Sequence, residues 1–358
     1  MLKAIFSPEQ YVPGHELELV SSGEPFFKCL LQIIAEAKHL IHFQIYIFDE
    51  DETGKEVALA LKDARKRGVE VFLAVDSYGS KSLSPEFIND LKKSGIHFKL
   101  FSLLPEHFYI LRLGRRMHNK IVVADNSVGL VGGINIADKY RGTDEKAAWL
   151  DYAISIKGPV CQEMSRICER IYREKYFGKI KTQGTPKAAT PVGNMRSRFV
   201  LNDWFRRKNQ IGTGYRAAFE QAEHSITIMA SYFLPNGSLR SALKKAVQRG
   251  VKVDVLLPGK SDVPMAKRAT RFLYQWLLRN KIGIFEWDDS ILHGKLAVVD
   301  KKWATIGSYN LNHLSQYSSI EMNIEVLDTP FATYLEKHLE QLLEQSDHLA
   351  PDTFNHNR

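Results

Sequence analysis

The chain has 358 residues, of which 44% are apolar and 25% are charged, as in ordinary globular proteins that bury a sizeable core. Its formal net charge of +8 favours anionic partners such as nucleic acid, an anionic lipid surface or phosphate esters. No run of 18 apolar residues occurs and the first residues lack the apolar core of a signal peptide, so we expect neither a transmembrane helix nor a leader.

The first predicted elements are an apolar strand at 39–48, a helix that ends at Gly68, and a second strand, VEVFLAVD. The helix repeats apolar residues at i, i+3, i+4 and i+7, and a glycine after arginine suits its C-cap. Another helix, SPEFINDLKKSG, and another strand, IHFKLF, follow. Strands that are almost entirely Val, Ile and Leu, alternating with helices, predict a layered α/β fold.

The same order of elements recurs in the second part of the chain. The segment ALKDARKRGVEVFLAV (60–75) aligns with ALKKAVQRGVKVDVLL (242–257), which predicts an internal duplication. We expect a first half at 1–177 and a second half at 195–358, each with α/β/α layers, related by a pseudo-two-fold axis. The segment 178–194, rich in Gly, Pro, Lys and Thr, is predicted to connect them.

Each half carries one complete copy of the spacing H-x-K-x4-D-x6-G-x-x-N. At background residue frequencies such a match arises at about 1 in 10 million starting positions, so two copies are not an accident. The members of the two copies are His118, Lys120, Asp125, Gly132 and Asn135, and His293, Lys295, Asp300, Gly307 and Asn310.

This set of side chains suits chemistry at a phosphodiester. The run after each lysine is β-branched, which predicts a strand and places His and Lys on one face. Lysine and asparagine donate hydrogen bonds to phosphoryl oxygens, and imidazole supplies a nucleophile or a proton carrier. Neither half holds both a nucleophile and an acid, so we expect the two halves to share one active site.

Two carboxylates are predicted to orient the histidines through their second ring nitrogens. Asp151 and Glu321 both lie in otherwise apolar strand patterns, where an unpaired charge would be costly. A histidine that acts on substrate through one nitrogen commonly holds a carboxylate with the other. The alternative is that these are acids at a sheet edge or at the surface.

The duplicated motif resembles that of the phospholipase D superfamily. The flanking words, among them YIFDEDETG, GGINIADKY, LLPGKSD and GSYNLNHLSQYSSIEMN, resemble bacterial cardiolipin synthases, and most of all the short type without an N-terminal transmembrane pair. The resemblance implies that one motif histidine attacks the phosphorus to form a phosphohistidine. The other histidine protonates the departing alcohol and later deprotonates the acceptor.

By the same resemblance, His118 is the nucleophile and His293 the acid and base. Asp125 and Asp300 have a structural role, fixing the motif loop. No metal or other cofactor is implied. The residues that would hold the non-bridging oxygens of the phosphate are Lys120, Lys295, Asn135 and Asn310.

The resemblance implies a phosphatidyltransferase that makes cardiolipin and a small alcohol from two phospholipids, with phosphatidylglycerol as the expected substrate. One alternative is a phospholipase D that releases phosphatidic acid. Another is a phosphodiesterase or nuclease of the same superfamily, although nucleic acid is the less expected partner. Without a predicted transmembrane helix, we expect the protein to contact the anionic cytoplasmic side of the cell membrane peripherally.

Two basic and aromatic stretches, 103–117 and 196–209, are candidates for that membrane contact. The alternatives are an ordinary loop packed on the core for the first and a capped amphipathic helix for the second. A third basic cluster, Lys267, Arg268 and Arg271, faces either phosphate or only solvent.

Overall fold

In the described residues of the first half, seven strands form one sheet, accompanied by five α-helices and one further short strand. The computed structural model describes residues 5–101, 115–173 and 190–350. The helices are α1 (Glu24–Glu36), α2 (Glu52–Lys66), α3 (Pro85–Lys93), α4 (Asp138–Arg141) and α5 (Val160–Arg173). The strands are β1 (Val12–Ser21), β2 (Leu40–Ile45), β3 (Glu70–Asp76), β4 (His97–Phe101), the short β5 (Arg116–Met117), β6 (Ile121–Ala124), β7 (Val128–Gly132) and β8 (Tyr152–Lys157).

The second half repeats this order of elements. Its helices are α6 (Gln210–Gln221), α7 (Gly237–Gln248), α8 (Pro264–Arg279), α9 (His313–Tyr317) and α10 (Thr329–Glu344). Its strands are β9 (Met195–Asp203), β10 (Lys208–Asn209), β11 (Ser225–Ala230), β12 (Lys252–Pro258), β13 (Gly283–Trp287), β14 (Lys295–Val299), β15 (Trp303–Gly307), β16 (Ser319–Leu327) and β17 (Asp347–His348).

Strand pairing shows that the two halves have the same topology. The first sheet runs β1-β8-β7-β6-β2-β3-β4. The second runs β9-β16-β15-β14-β11-β12-β13, with β17 added at its edge. In each sheet the three consecutive strands joined by helices are parallel and the rest are antiparallel. The predicted duplicated α/β fold is confirmed.

The buried apolar residues divide into three clusters that match the layers. One cluster lies among α1, α2, α3 and the outer face of the first sheet, and a second lies among α6, α7, α8 and the outer face of the second. The third includes α5, α10 and the inner faces of both sheets, so the halves share a core. The proposed boundaries at 177 and 195 remain a prediction, and residues 178–189 of the connection lie outside the described residues.

Two backbone contacts join the motif segments to the opposite half. Strand β5 pairs in parallel with the start of β16, and the His118 amide donates to the carbonyl of Ile320 at 3.0 Å. In the matching contact, the His293 amide donates to the carbonyl of Leu150 at 2.7 Å. These contacts engage the backbone at each histidine, and the strand predicted for the run after Lys120 follows at Ile121.

Asp125 and Asp300 perform the same structural task in each half. The Asp125 carboxylate accepts the amides of Lys38, His39 and Leu40 at 2.8–2.9 Å, where β2 begins. The Asp300 carboxylate accepts three successive amides at the start of β11 in the same way. Both residues also begin the hairpin after the motif strand with φ values of 50° and 54°, a conformation that Asp tolerates.

Replacing either aspartate by alanine should therefore destabilise the fold. Asp125→Ala or Asp300→Ala removes the charged acceptor of three backbone amides, which we expect to lower the free energy of unfolding by about 2–4 kcal/mol. Urea unfolding monitored by circular dichroism measures this, with the exposed Asp144→Ala as a control. Loss of activity at unchanged stability would instead show that these carboxylates act in the chemistry.

Candidate active site

Each motif histidine is hydrogen-bonded to a carboxylate from the opposite half. His118 Nδ1 lies 2.9 Å from Glu321 Oε2, and His293 Nδ1 lies 2.6 Å from Asp151 Oδ2. Both carboxylates are fully buried. An ionised carboxylate only accepts hydrogen bonds, so opposite such a carboxylate the imidazole hydrogen lies on Nδ1 and Nε2 is the nitrogen left for the substrate. The crossed pairs bring the two histidines into one site.

The two carboxylates are held differently. Glu321 accepts hydrogen bonds from the hydroxyls of Ser308 at 2.5 Å and Ser315 at 2.7 Å. Asp151 instead accepts the amide of Tyr152 at 2.7 Å. The position that corresponds to Ser308 is Gly133, where a Cβ would collide with the Asp151 carboxylate. Asp151, which is one methylene shorter than Glu321, thus has its carboxylate in space that glycine at position 133 leaves open.

The motif lysines lie beneath the histidines and are almost fully buried. Lys120 Nζ donates to the carbonyl oxygen of His118 at 2.7 Å and lies 5.0 Å from the centre of the Tyr46 ring. Lys295 Nζ donates to the carbonyl oxygen of His293 and lies 3.0 Å from its Nδ1. The i, i+2 spacing thus places lysine and histidine together, as predicted from the sequence.

The motif asparagines are buried and already hold neighbouring groups. Asn135 accepts the amide of Ile47 at 3.0 Å and donates from Nδ2 to the Tyr140 hydroxyl at 2.8 Å. Asn310 Oδ1 accepts from the hydroxyl of Ser231 at 2.9 Å. Each amide nitrogen has two N–H groups, so Asn135 retains one N–H beyond its bond to Tyr140.

A cavity of about 230 Å³ opens onto this site. Tyr46 and Tyr232 lie on its wall, and the Tyr46 ring is 4.6 Å from that of His118. His293 lies deeper, with the ring of Tyr232 at 6.2 Å. The cavity is also lined by Arg116, Asn310, Leu314 and Ser315. Within the described ranges, no cluster of His, Cys, Asp and Glu is arranged to hold a metal ion.

The sequence of the chain matches a known protein family. The model of the cardiolipin synthase, PLD-like domain matches residues 30–171 and 215–343, which contain both motif histidines. The chain belongs to this cardiolipin synthase family. Cardiolipin synthase B of Shigella flexneri is 30% identical over 341 residues, which cover 92% of this chain and 81% of the relative. A probable cardiolipin synthase of Bacillus subtilis is 27% identical over 339 residues, covering 94% of this chain and 68% of the relative.

Among solved structures, phosphatidylserine synthase of Haemophilus influenzae shares the fold. It superimposes with a TM-score of 0.75 at 14% identity, covering 97% of this chain and 92% of that one. The predicted superfamily, fold and phosphatidyltransferase class are therefore confirmed. In the part of the chain that the structure describes, no helix is both long and apolar enough to cross a bilayer.

Several residues of this cardiolipin synthase family site were not singled out from the sequence. Ser308 directly follows the motif glycine Gly307 and lies two residues before Asn310, so its place inside the motif was a usable signal. Ser315 had no such signal, because it reaches Glu321 only through the fold of α9. Tyr46 and Tyr232 follow the apolar strands β2 and β11, where aromatic residues are ordinarily taken for core.

The structure shows what some of the basic residues singled out from the sequence contact. Residues 196–209 are not an amphipathic α-helix: they form β9, a single 3₁₀ turn at Trp204–Arg206 and β10, and β9 pairs with β16. Arg115 lies in a buried ion pair with Asp203, and Lys267 donates to the carbonyl of Gly259, so neither is a free surface cation. Residues 103–114 lie outside the described residues.

Burial sets the protonation of the site. It lowers the pKa of His118, and Glu321 opposes that shift. It also lowers the pKa of His293 well below its ordinary value, and Lys295 adds to that shift. Burial lowers the pKa of Lys120 to about 7 and raises the pKa of Asp151 to about 7.

The two motif lysines and the two histidine-orienting carboxylates carry equal and opposite charge in the free site. Two lysines balance two carboxylates when both histidines are neutral, wherever the proton lies within a lysine–carboxylate pair. A bound phosphate ester adds negative charge, which favours the protonated form of a nearby histidine. Substrate binding therefore supplies the electrostatic reason for one imidazole to become an acid.

Anion binding should accordingly take up a proton. We expect phosphate affinity to rise as the pH falls from 8 towards 6, because the histidine pKa is lower in the free protein than in the complex. Calorimetric titration with inorganic phosphate in two buffers of different ionisation enthalpy measures the uptake. Binding without proton uptake, or the same uptake in a His118→Asn, His293→Asn double variant, would contradict this origin.

Proposed function

We propose that the protein transfers a phosphatidyl group from one phosphatidylglycerol to another, forming cardiolipin and releasing glycerol. The proposal is supported by the pair of crossed histidine–carboxylate contacts, of which His118 and Glu321 line the cavity. A double displacement at phosphorus requires one imidazole whose Nε2 lone pair attacks and a second whose Nε2 carries a proton for the departing oxygen. Membership of the cardiolipin synthase family supports phospholipids as the substrate class.

In the first step His118 Nε2 attacks the phosphorus of the donor. A P–N bond forms as the P–O bond to glycerol breaks, and His293 Nε2 transfers its proton to the departing oxygen. Glu321 holds His118 through Nδ1 and stabilises the positive charge that forms on the ring. The assignment of His118 as nucleophile rests on the family resemblance.

In the second step the acceptor hydroxyl attacks the phosphohistidine. His293 takes the hydroxyl proton, a new P–O bond forms, and the electron pair of the P–N bond returns to His118. Asp151 holds His293 in place for both proton transfers. The donors for the non-bridging oxygens are Lys120, Lys295, Asn135 and Asn310, which would strengthen their hydrogen bonds as charge accumulates in the transition state.

The exchange of one phosphodiester for another is close to energy-neutral, so no nucleotide is needed to drive it. Water is the competing acceptor, and the burial of His293 and both lysines limits its access. A long-chain phospholipid reaches the cavity only from a bilayer, so we propose peripheral contact with the anionic cytoplasmic face of the membrane. The positive net charge supports that contact.

Lipid mass spectrometry tests the proposed reaction. Purified protein incubated with phosphatidylglycerol vesicles should form a dimeric phospholipid and an equal amount of glycerol. Phosphatidic acid as the only product would identify a hydrolase instead. Absence of lipid turnover together with cleavage of DNA would favour a nuclease.

Substitution of the motif residues should separate their roles. His118→Ala should abolish both turnover and the covalent phosphoenzyme, whereas His293→Ala should retain some phosphoenzyme when the donor has an activated leaving group. Lys120→Ala or Lys295→Ala should cost about 2–4 kcal/mol of transition-state stabilisation. Acid-quenched peptide mapping locates the phosphate, and its attachment to His293 would reverse the assignment of nucleophile and acid.

A further inference from the structure

More than half of the exposed large apolar side chains lie in three segments that each include a residue at or next to the cavity lining. Of thirteen large apolar side chains exposed in the described residues, seven lie in three short segments, 204–208, 260–272 and 313–317. We call these three segments the rim. Single exposed apolar residues are ordinary, but a concentration beside a binding cavity marks an interaction surface. The seven are Trp204, Phe205, Val263, Met265, Phe272, Leu314 and Tyr317.

The three rim segments come together at the cavity. Leu314 of α9 lines the cavity directly, and α9 also contacts the turn at Trp204–Arg206. On another side, the hydroxyl of Tyr232 donates to the carboxylate of Asp262 at 2.8 Å, next to the start of α8. Tyr232 is itself a lining residue, so the beginning of α8 borders the same opening.

The rim combines this apolar surface with positive charge. Along α8, Met265, Arg268 and Phe272 follow the i, i+3, i+7 spacing that places them on one helix face, and all three are exposed. Asp262 is the one exposed acid among the rim residues, and it accepts the Tyr232 hydroxyl. The exposed cations of the rim are Arg206 and Arg271, which lie in ion pairs with Asp203 and Glu286, and Arg207, Lys208, Lys260 and Arg268.

We propose that the rim is the surface that inserts into an anionic bilayer and seats the cavity at the level of the lipid headgroups. Apolar side chains enter the boundary between headgroups and acyl chains, while the arginines and lysines contact lipid phosphates. This inference rests on the proposed function, since a phosphatidyl headgroup must reach His118 while its acyl chains stay in the bilayer. Arg116, on the cavity wall, is then a cation that an entering phosphate meets.

A double variant of α8 tests the rim against a matched control. Met265 and Phe272 are 79% and 86% exposed, so Met265→Ser with Phe272→Ser removes apolar surface without opening the core. The control is Leu59→Ser with Tyr334→Ser, two residues 55% and 56% exposed outside the rim. Flotation with vesicles of phosphatidylglycerol and phosphatidylcholine measures binding, and turnover is compared on vesicles and on monomeric dihexanoyl phosphatidylglycerol.

We expect the rim variant to bind mixed vesicles about 10- to 100-fold more weakly than the wild type, and the control variant to bind normally. The ratio of vesicle turnover to monomer turnover should fall in parallel. Binding should also weaken with rising salt and be poorer on pure phosphatidylcholine vesicles. Equal vesicle binding by the rim variant and the wild type would contradict the proposed insertion of the rim into the bilayer. It would leave the proposed reaction unaffected.

Two further outcomes are distinguishable. If the wild type binds vesicles through the rim but turns over neither monomeric nor vesicular lipid, the proposed reaction is wrong and the proposed membrane contact of the rim is supported. A wild-type dimer that the rim variant converts to a monomer, with vesicle binding unchanged, would identify the rim as a contact between two copies. Sedimentation velocity without lipid measures that dimerisation.

Discussion

The crossed hydrogen bonds between histidine and carboxylate are the interaction on which the site depends. Each imidazole is aimed by an acid that lies 142 or 203 residues away along the chain and in the other half. A half taken by itself would therefore hold a histidine without its carboxylate and a buried carboxylate without its partner. Leaving a buried charge unpaired is costly, so assembly of the halves and orientation of the catalytic groups are one event.

The symmetry of the fold does not extend to every contact in the site. Ser308 and Ser315 both bond Glu321, whereas Gly133 makes room for the shorter Asp151. His118 faces the open cavity, while His293 lies among aromatic rings that include Tyr232. Duplicated backbones thus carry two imidazoles in unlike surroundings, as two unlike roles in one reaction require.

The fold could be predicted from the sequence because the patterns that indicate helices, strands and their order depend on residues close together in the chain. The repeated strand–helix order, Gly68 at a helix end, and the i, i+2 placement of His118 and Lys120 all depend on neighbours within a few residues. The positions of Asp151 and Glu321 were also predictable, since a charge within an apolar strand requires a partner.

Contacts that depend on tertiary structure were not predictable in the same way. The motif spacing could not say that Glu321 serves the histidine of the other half, or that Ser315 reaches Glu321 from α9. The stretch at 196–209 has aromatic and basic residues that suit a helix in isolation, but its first part, up to Asp203, is a strand because it pairs with β16. The exposure of Phe272 could likewise not be predicted, because it depends on which face of α8 packs against the rest of the protein.

The two sheets also meet at their edges, where β1 pairs with β9 through Val12 and Ser197 and through His15 and Met195. Neither sheet therefore leaves that long strand open to pairing with a second molecule. Together with the shared inner core, this seam makes the halves mechanically interdependent. The duplicated chain should consequently unfold cooperatively as one unit, and an ancestral single half would have needed a second copy to close both its sheet edge and its active site.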